Sequence, residues 1–182
     1  MNTIEIPLSK KKILLLTIGS FAFVFFGVIF IIFPEKFITY LIRSEEFVRI
    51  AGIASVVFFG ATGIYGIFKM QDNKVGLTIS KEGIIDNTNA TSIGLIKWDN
   101  IETIKTEQVM STKFLLIFTN NQEEILNKVS GMKRKLMSAN AKMYGTPISI
   151  TANTLEFDFD ELEKIIMNKL KIFKNEEFGQ LS

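Results

Sequence analysis

The chain has 182 residues, with 21 Lys+Arg against 19 Asp+Glu for a net charge of +2, and it contains neither cysteine nor histidine. That composition excludes disulfides, thiolate metal sites, cysteine nucleophiles, Ser-His-Asp triads and imidazole switching. The near-neutral balance argues against general nucleic-acid binding. Hydrophobic residues make up 47% of the chain and Phe alone occurs 17 times.

Residues 1–12 read as a cytosolic N-terminal tail ending in Lys10, Lys11 and Lys12. Residues 13–33 carry no charge and no polar helical face. At about 1.5 Å per residue such a segment spans about 30 Å, the hydrocarbon thickness of a bilayer. Its apolar run exceeds that of a signal peptide, and the exit Phe33-Pro34-Glu35-Lys36 offers no small-residue cleavage site. It is therefore expected to be an uncleaved anchor.

Residues 34–47 form a short connection, expected outside the cytoplasm, and 48–69 form a second span. Lys10–Lys12, Lys69, Lys74 and Lys81 outnumber Lys36, Arg43 and Arg49 between the spans, which predicts both termini in the cytoplasm of a multi-pass inner-membrane protein. Gly52, Ser55, Gly60, Gly63 and Gly66 permit close packing within a hairpin. The charge-free stretches 13–33 and 50–68 hold no carboxylate, Lys or Arg, so an anchor is expected rather than a transport path.

From residue 70 charges recur every few positions and short apolar runs alternate with turns. Strands are expected at 77–79, 84–85, 93–98, 101–109, 114–118, 148–151 and 155–157, with a helical insertion over 121–145. Asn121 and Glu124 have capping-box spacing, and Gly131 is a natural break in that insertion. Asp158 and Glu161 have the same spacing at the head of a closing amphipathic helix on which Leu162, Ile165, Ile166, Leu170 and Phe173 share a face. Residues 175–182 are expected to be a disordered tail. The predicted fold class is an α+β membrane protein: a two-helix hairpin and a seven-stranded, partly open barrel over 70–174, closed by the last helix.

The stretch Gly94-Leu-Ile-Lys-Trp98-Asp-Asn-Ile101 resembles an apolar-Trp-Asp/Asn-Ile segment of bacterial pleckstrin-homology-like (PH-like) domains. Lys142 to Ile150, Lys-Met-Tyr-Gly-Thr-Pro-Ile-Ser-Ile, is similar to a segment in an uncharacterised bacterial family with two spans followed by such a domain. The resemblance implies an architecture; its motifs are not catalytic.

Trp98 is expected to serve structure, packing in the barrel, as are the capping residues Asp158 and Glu161. Lys128, Lys133, Arg134, Lys135 and Lys142 occur with no acid between Ile125 and Gly145. On one continuous helix Lys128, Arg134, Lys135 and Lys142 would largely oppose a stripe of Ile125, Val129, Met132, Leu136 and Met143, with Lys133 at the border. That basic face is the candidate contact with anionic lipid headgroups, each cation near the surface contributing on the order of 1 kcal/mol. The acids Asp158, Asp160, Glu161 and Glu163 fit a helix's first turn better than a metal site. Phosphate-loop and G-x-S-x-G signatures are absent. The expectation is a non-catalytic, cofactor-free binding or scaffolding module whose partners are the bilayer, anionic headgroups or a protein. A structural subunit and a carboxylate-, Ser- or Lys-based lipid enzyme are the rivals.

Overall fold

A computed structural model describes residues 2–39, 44–110 and 112–179, without the side chains of 177–179. Arg43 and residues 180–182 lie outside the described residues. The chain divides into two compact units: residues 10–73, and a second unit made of residues 1–9 with 74–182.

The first unit is a helical hairpin. Helix α1 runs Lys10–Ile32, a 3-10 turn spans Pro34–Phe37, and α2 runs Glu45–Gln71. Both helices are long and apolar enough to cross a membrane. Their large side chains, among them Leu15, Phe25, Phe58 and Phe68, point outward and are exposed.

Small residues and hydroxyls make the contact between the two helices. A Cβ on Gly52 would lie 2.7 Å from the carbonyl oxygen of Gly27, so the backbones meet there. Ser55 Oγ donates to Phe23 O at 3.0 Å and Thr62 Oγ1 to Ser20 Oγ at 3.2 Å. Phe23 and Phe59 stack with centroids 4.3 Å apart. Of the small residues read from the sequence, Gly60 faces open space, whereas Gly52, Ser55, Gly63 and Gly66 meet the other helix. Ser44 caps α2 by accepting from Phe47 N. At the far end Lys10 Nζ donates to Met70 O at 2.8 Å and also to Asp72 O. A cation is thus set on carbonyls that the end of α2 leaves without helical partners.

The second unit holds two antiparallel sheets. Strands β1 (Ile4–Ile6), β2 (Leu77–Ile79), β3 (Gly83–Asp86) and β4 (Gly94–Lys97) form one in sequence order; β5 (Ile101–Val109), β6 (Thr112–Thr119) and β7 (Ile148–Ile150) form the other. The N-terminal segment, expected as a tail, therefore supplies a strand. Ile4 pairs with Ile79 and Ile6 with Leu77, which puts the whole hairpin between two neighbouring strands in sequence.

The partly open barrel is not found: the seven strands lie in separate sheets of four and three, with no closed barrel. A 3-10 turn at Trp98–Asn100 separates β4 from β5. The expected strand at 155–157 reduces to one bridge, Leu8 to Leu155, because Asp158 turns the chain into the last helix.

The core follows strand alternation in β2 and β7, whereas β6 buries Leu115, Leu116 and Ile117 in succession. Leu77, Ile79, Ile84, Leu115, Ile117 and Ile150 are fully buried, as are Leu162 and Ile166 of the closing helix α5 (Phe159–Gly179). Asp158 Oδ1 accepts from the amides of Asp160 and Glu161, satisfying two orphan donors of α5. Residues 175–179, expected as a disordered tail, continue α5.

The helical insertion is two helices, α3 (Gln122–Asn127) and α4 (Gly131–Tyr144). Gly131, at φ +60°, takes the left-handed conformation that interrupts the run. Asn121 stands at the N-cap of α3 but makes no side-chain capping bond.

Candidate functional site

The break at Gly131 shifts the phase of the insertion, so the stripe drawn on a continuous helix does not exist. Within α4 the buried residue is Met137, while Met132 and Met143 are 70% and 71% exposed and Leu136 is exposed as well. The outer surface of α4 thus carries an apolar strip together with exposed Arg134, Lys135 and Lys142. Arg134, Lys135 and Lys142, with Gly131, Ser138 and Ala139, line a shallow groove on this face.

Lys128 and Lys133, read with those three as one cluster, belong instead to a deeper cleft of about 410 Å³. One wall is β4 and the residue before it, with Ile93, Leu95 and Lys97. The other is α3 and the loop behind it, with Ile125, Lys128 and Val129. Lys133 enters from the first turn of α4, and Asn100, Thr119 and Asn121 complete the lining.

Three lysines and no carboxylate line this cleft. Lys133 Nζ donates to Ser92 O at 2.5 Å, which ties the start of α4 to the loop before β4. Lys128 pairs with Glu124 at 2.5 Å in an exposed i,i+4 bridge. The hydrogen bond from Lys128 is the largest influence holding Glu124 below its ordinary value, followed by the charge of Lys128 and a bond from Asn121. Lys97 is exposed and has no partner among the described residues.

Thr119 is 2% exposed, and its Oγ1 has no hydrogen-bond partner among the described residues; Asn121 Oδ1 is in the same state. Lys97, Thr119 and Asn121 escape a linear reading because only the tertiary fold brings them to Lys128 and Lys133. A linear signal exists for the two insertion lysines alone.

Trp98 is 1% exposed; its Nε1 donates to Ser80 O at 3.0 Å, and its ring lies 6.5 Å from that of Phe173. Asp158 caps α5, and its neighbours are engaged along β5 and β6: Asp160 with Lys113 at 2.5 Å, and Glu163 with the Thr106 hydroxyl. The hydrogen bond to Asp160 raises the pKa of Lys113. Among the described residues no group of acids is arranged to hold a metal ion.

Comparison of this chain with family models, curated proteins and solved structures finds no match.

Proposed function

We propose that this chain is a membrane-anchored recognition module that acts by binding rather than by bond chemistry. In this reading α1 and α2 span the inner membrane, the two-sheet unit is a PH-like domain in the cytoplasm, and α4 meets an anionic headgroup surface. The observation that carries the reading is the outer face of α4, where Met132, Leu136 and Met143 are exposed beside Arg134, Lys135 and Lys142. A helix with apolar and basic surface together suits the headgroup boundary. No acid from Ile125 to Gly145 opposes anionic lipid. A tether makes weak contacts sufficient, because it raises the effective concentration.

The pairing of β1 with β2 supports the topology. The hairpin lies between these strands in the chain, so both of its ends must return to one side of the bilayer. The lysines at those ends favour the cytoplasm. A reporter fused after Ser182 is then active only in the cytoplasm, and activity outside reverses the assignment.

The chain has no cysteine, so a single engineered thiol labels uniquely. Ala139→Cys, carrying an environment-sensitive fluorophore, tests the contact in nanodiscs of rising phosphatidylglycerol content. The emission should shift to the blue with anionic lipid and return with salt. An emission independent of both lipid charge and salt removes the headgroup reading. A shift that needs a co-purified protein instead of anionic lipid assigns the face to a structural partner.

A further inference from the structure

We propose that the cleft between β4 and α3 binds a phosphate monoester carried on an apolar body. This site lies apart from the outer face of α4 and does not depend on what that face meets. Its volume of about 410 Å³ is that of a small-molecule site. Its lining is divided in kind: Ile93, Leu95 and Val129 offer apolar surface, while Lys97, Lys128 and Lys133 supply three cations with no lining acid.

A phosphate monoester carries a charge of about −1.5 to −2 at neutral pH and three acceptor oxygens. Lysines meet such a group as point charges with rotatable donors. Lys133 commits one donor to Ser92 O and keeps two. Lys128 is held only by an exposed bridge to Glu124, which is weak and readily exchanged. Lys97 has no competing partner among the described residues.

The polar wall of the cleft is also incomplete. Buried polar atoms are nearly always hydrogen-bonded, yet Thr119 Oγ1 and Asn121 Oδ1, on two lining residues, have no partner among the described residues. A phosphate oxygen can accept from Thr119 Oγ1, whereas Asn121 Oδ1, an acceptor, needs a donor such as a water or a ligand hydroxyl.

The same chemistry is found in the headgroup of phosphatidic acid and in soluble phosphate esters, and the experiment separates these sources. Full-length protein in zwitterionic nanodiscs is titrated calorimetrically with hexyl phosphate in one arm and dihexanoyl phosphatidic acid in the other. Saturable binding is expected, and Lys97→Glu should weaken it at least about tenfold. Lys164→Gln with Lys171→Gln, exposed on α5, should leave it unchanged. Binding of hexyl phosphate identifies a soluble ester; binding of the lipid alone identifies a headgroup with its chains. Absence of saturation with both ligands, or binding that Lys97→Glu does not weaken, overturns the proposal. Lys97 is exposed, so its replacement leaves the fold intact, and an unchanged thermal transition of Trp98 fluorescence verifies this.

Discussion

The hairpin and the two-sheet unit handle apolar residues in opposite ways. In the sheets, branched aliphatic side chains such as Ile84 and Ile117 are fully buried. In the hairpin phenylalanines such as Phe25, Phe58 and Phe68 are exposed, and the helices meet through Gly27, Gly52, hydroxyl hydrogen bonds and the stacked pair Phe23 and Phe59. Burial of apolar area from water stabilises the first arrangement by about 25 cal/mol per Å². An apolar exterior has no such drive between helices when its surroundings are apolar too, and close backbone approach takes over. One chain therefore carries two packing rules, and the second is the one an apolar environment would favour.

The largest expected effect comes from breaking the strand that precedes the hairpin. Deleting residues 2–6 removes β1 and with it Ile6, which is fully buried. Burial of that side chain alone is worth about 1.5–3 kcal/mol, and the ladder to β2 is lost as well, against a typical total of about 5–15 kcal/mol. Limited proteolysis should then cleave within residues 74–179 while α1 and α2 stay protected.

Ile117→Ala should lower the stability of the two-sheet unit by about 2–5 kcal/mol, as large-to-small changes in packed cores do. Denaturant titration of Trp98 fluorescence measures this, with no change expected in the hairpin.

Gly52→Val reverses that selectivity. Its side chain would collide with the backbone of Gly27, an overpacking cost of about 1–3 kcal/mol. A disulfide between Ser20→Cys and Thr62→Cys, whose native hydroxyls lie 3.2 Å apart, should form efficiently in the parent and poorly beside Gly52→Val. Gly60→Val, with open space around it, should leave the cross-link unaffected.

The smallest effects are electrostatic, on exposed pairs. Glu124 is held below its ordinary value of 4.5, so Lys128 contributes stability above that pH, and the contribution fades as pH falls through the lowered value. Lys113 is raised above 10.5, so the contribution from Asp160 is present below that pH and is lost as pH rises through the raised value. Carboxyl NMR titration should find Glu124 acidic in the parent and shifted upward in Lys128→Ala. An unshifted Glu124 removes the pair from solution.

The two apolar helices and α5 were legible in the sequence because each is a local signal. Charge-free runs long enough to cross a bilayer are visible directly. The period of Leu162, Ile166 and Leu170 with Asp158 at their head announces a capped helix. The missing elements are those decided at long range. Ile4-Glu5-Ile6 is too short to stand out, and its partner lies beyond the hairpin. Leu155-Glu156-Phe157 alternates like a strand but finds only one bridge. The insertion was read at the right place and with the right break, yet Gly131 resets the helical phase and exchanges which methionine is buried. Half of the cleft is likewise invisible in linear order, since Lys97 and Thr119 join Lys128 only through tertiary packing.

The position of β1 sets a timetable for biosynthesis. Ile4 to Ile6 leave the ribosome before the hairpin, but the strand they bind is made only after both apolar helices. These residues must therefore wait for β2 while the hairpin is dealt with. A polypeptide that begins at residue 70 would never receive its first strand, whereas one that splices residue 9 to residue 74 through a short flexible link would restore the complete sheet without the apolar helices.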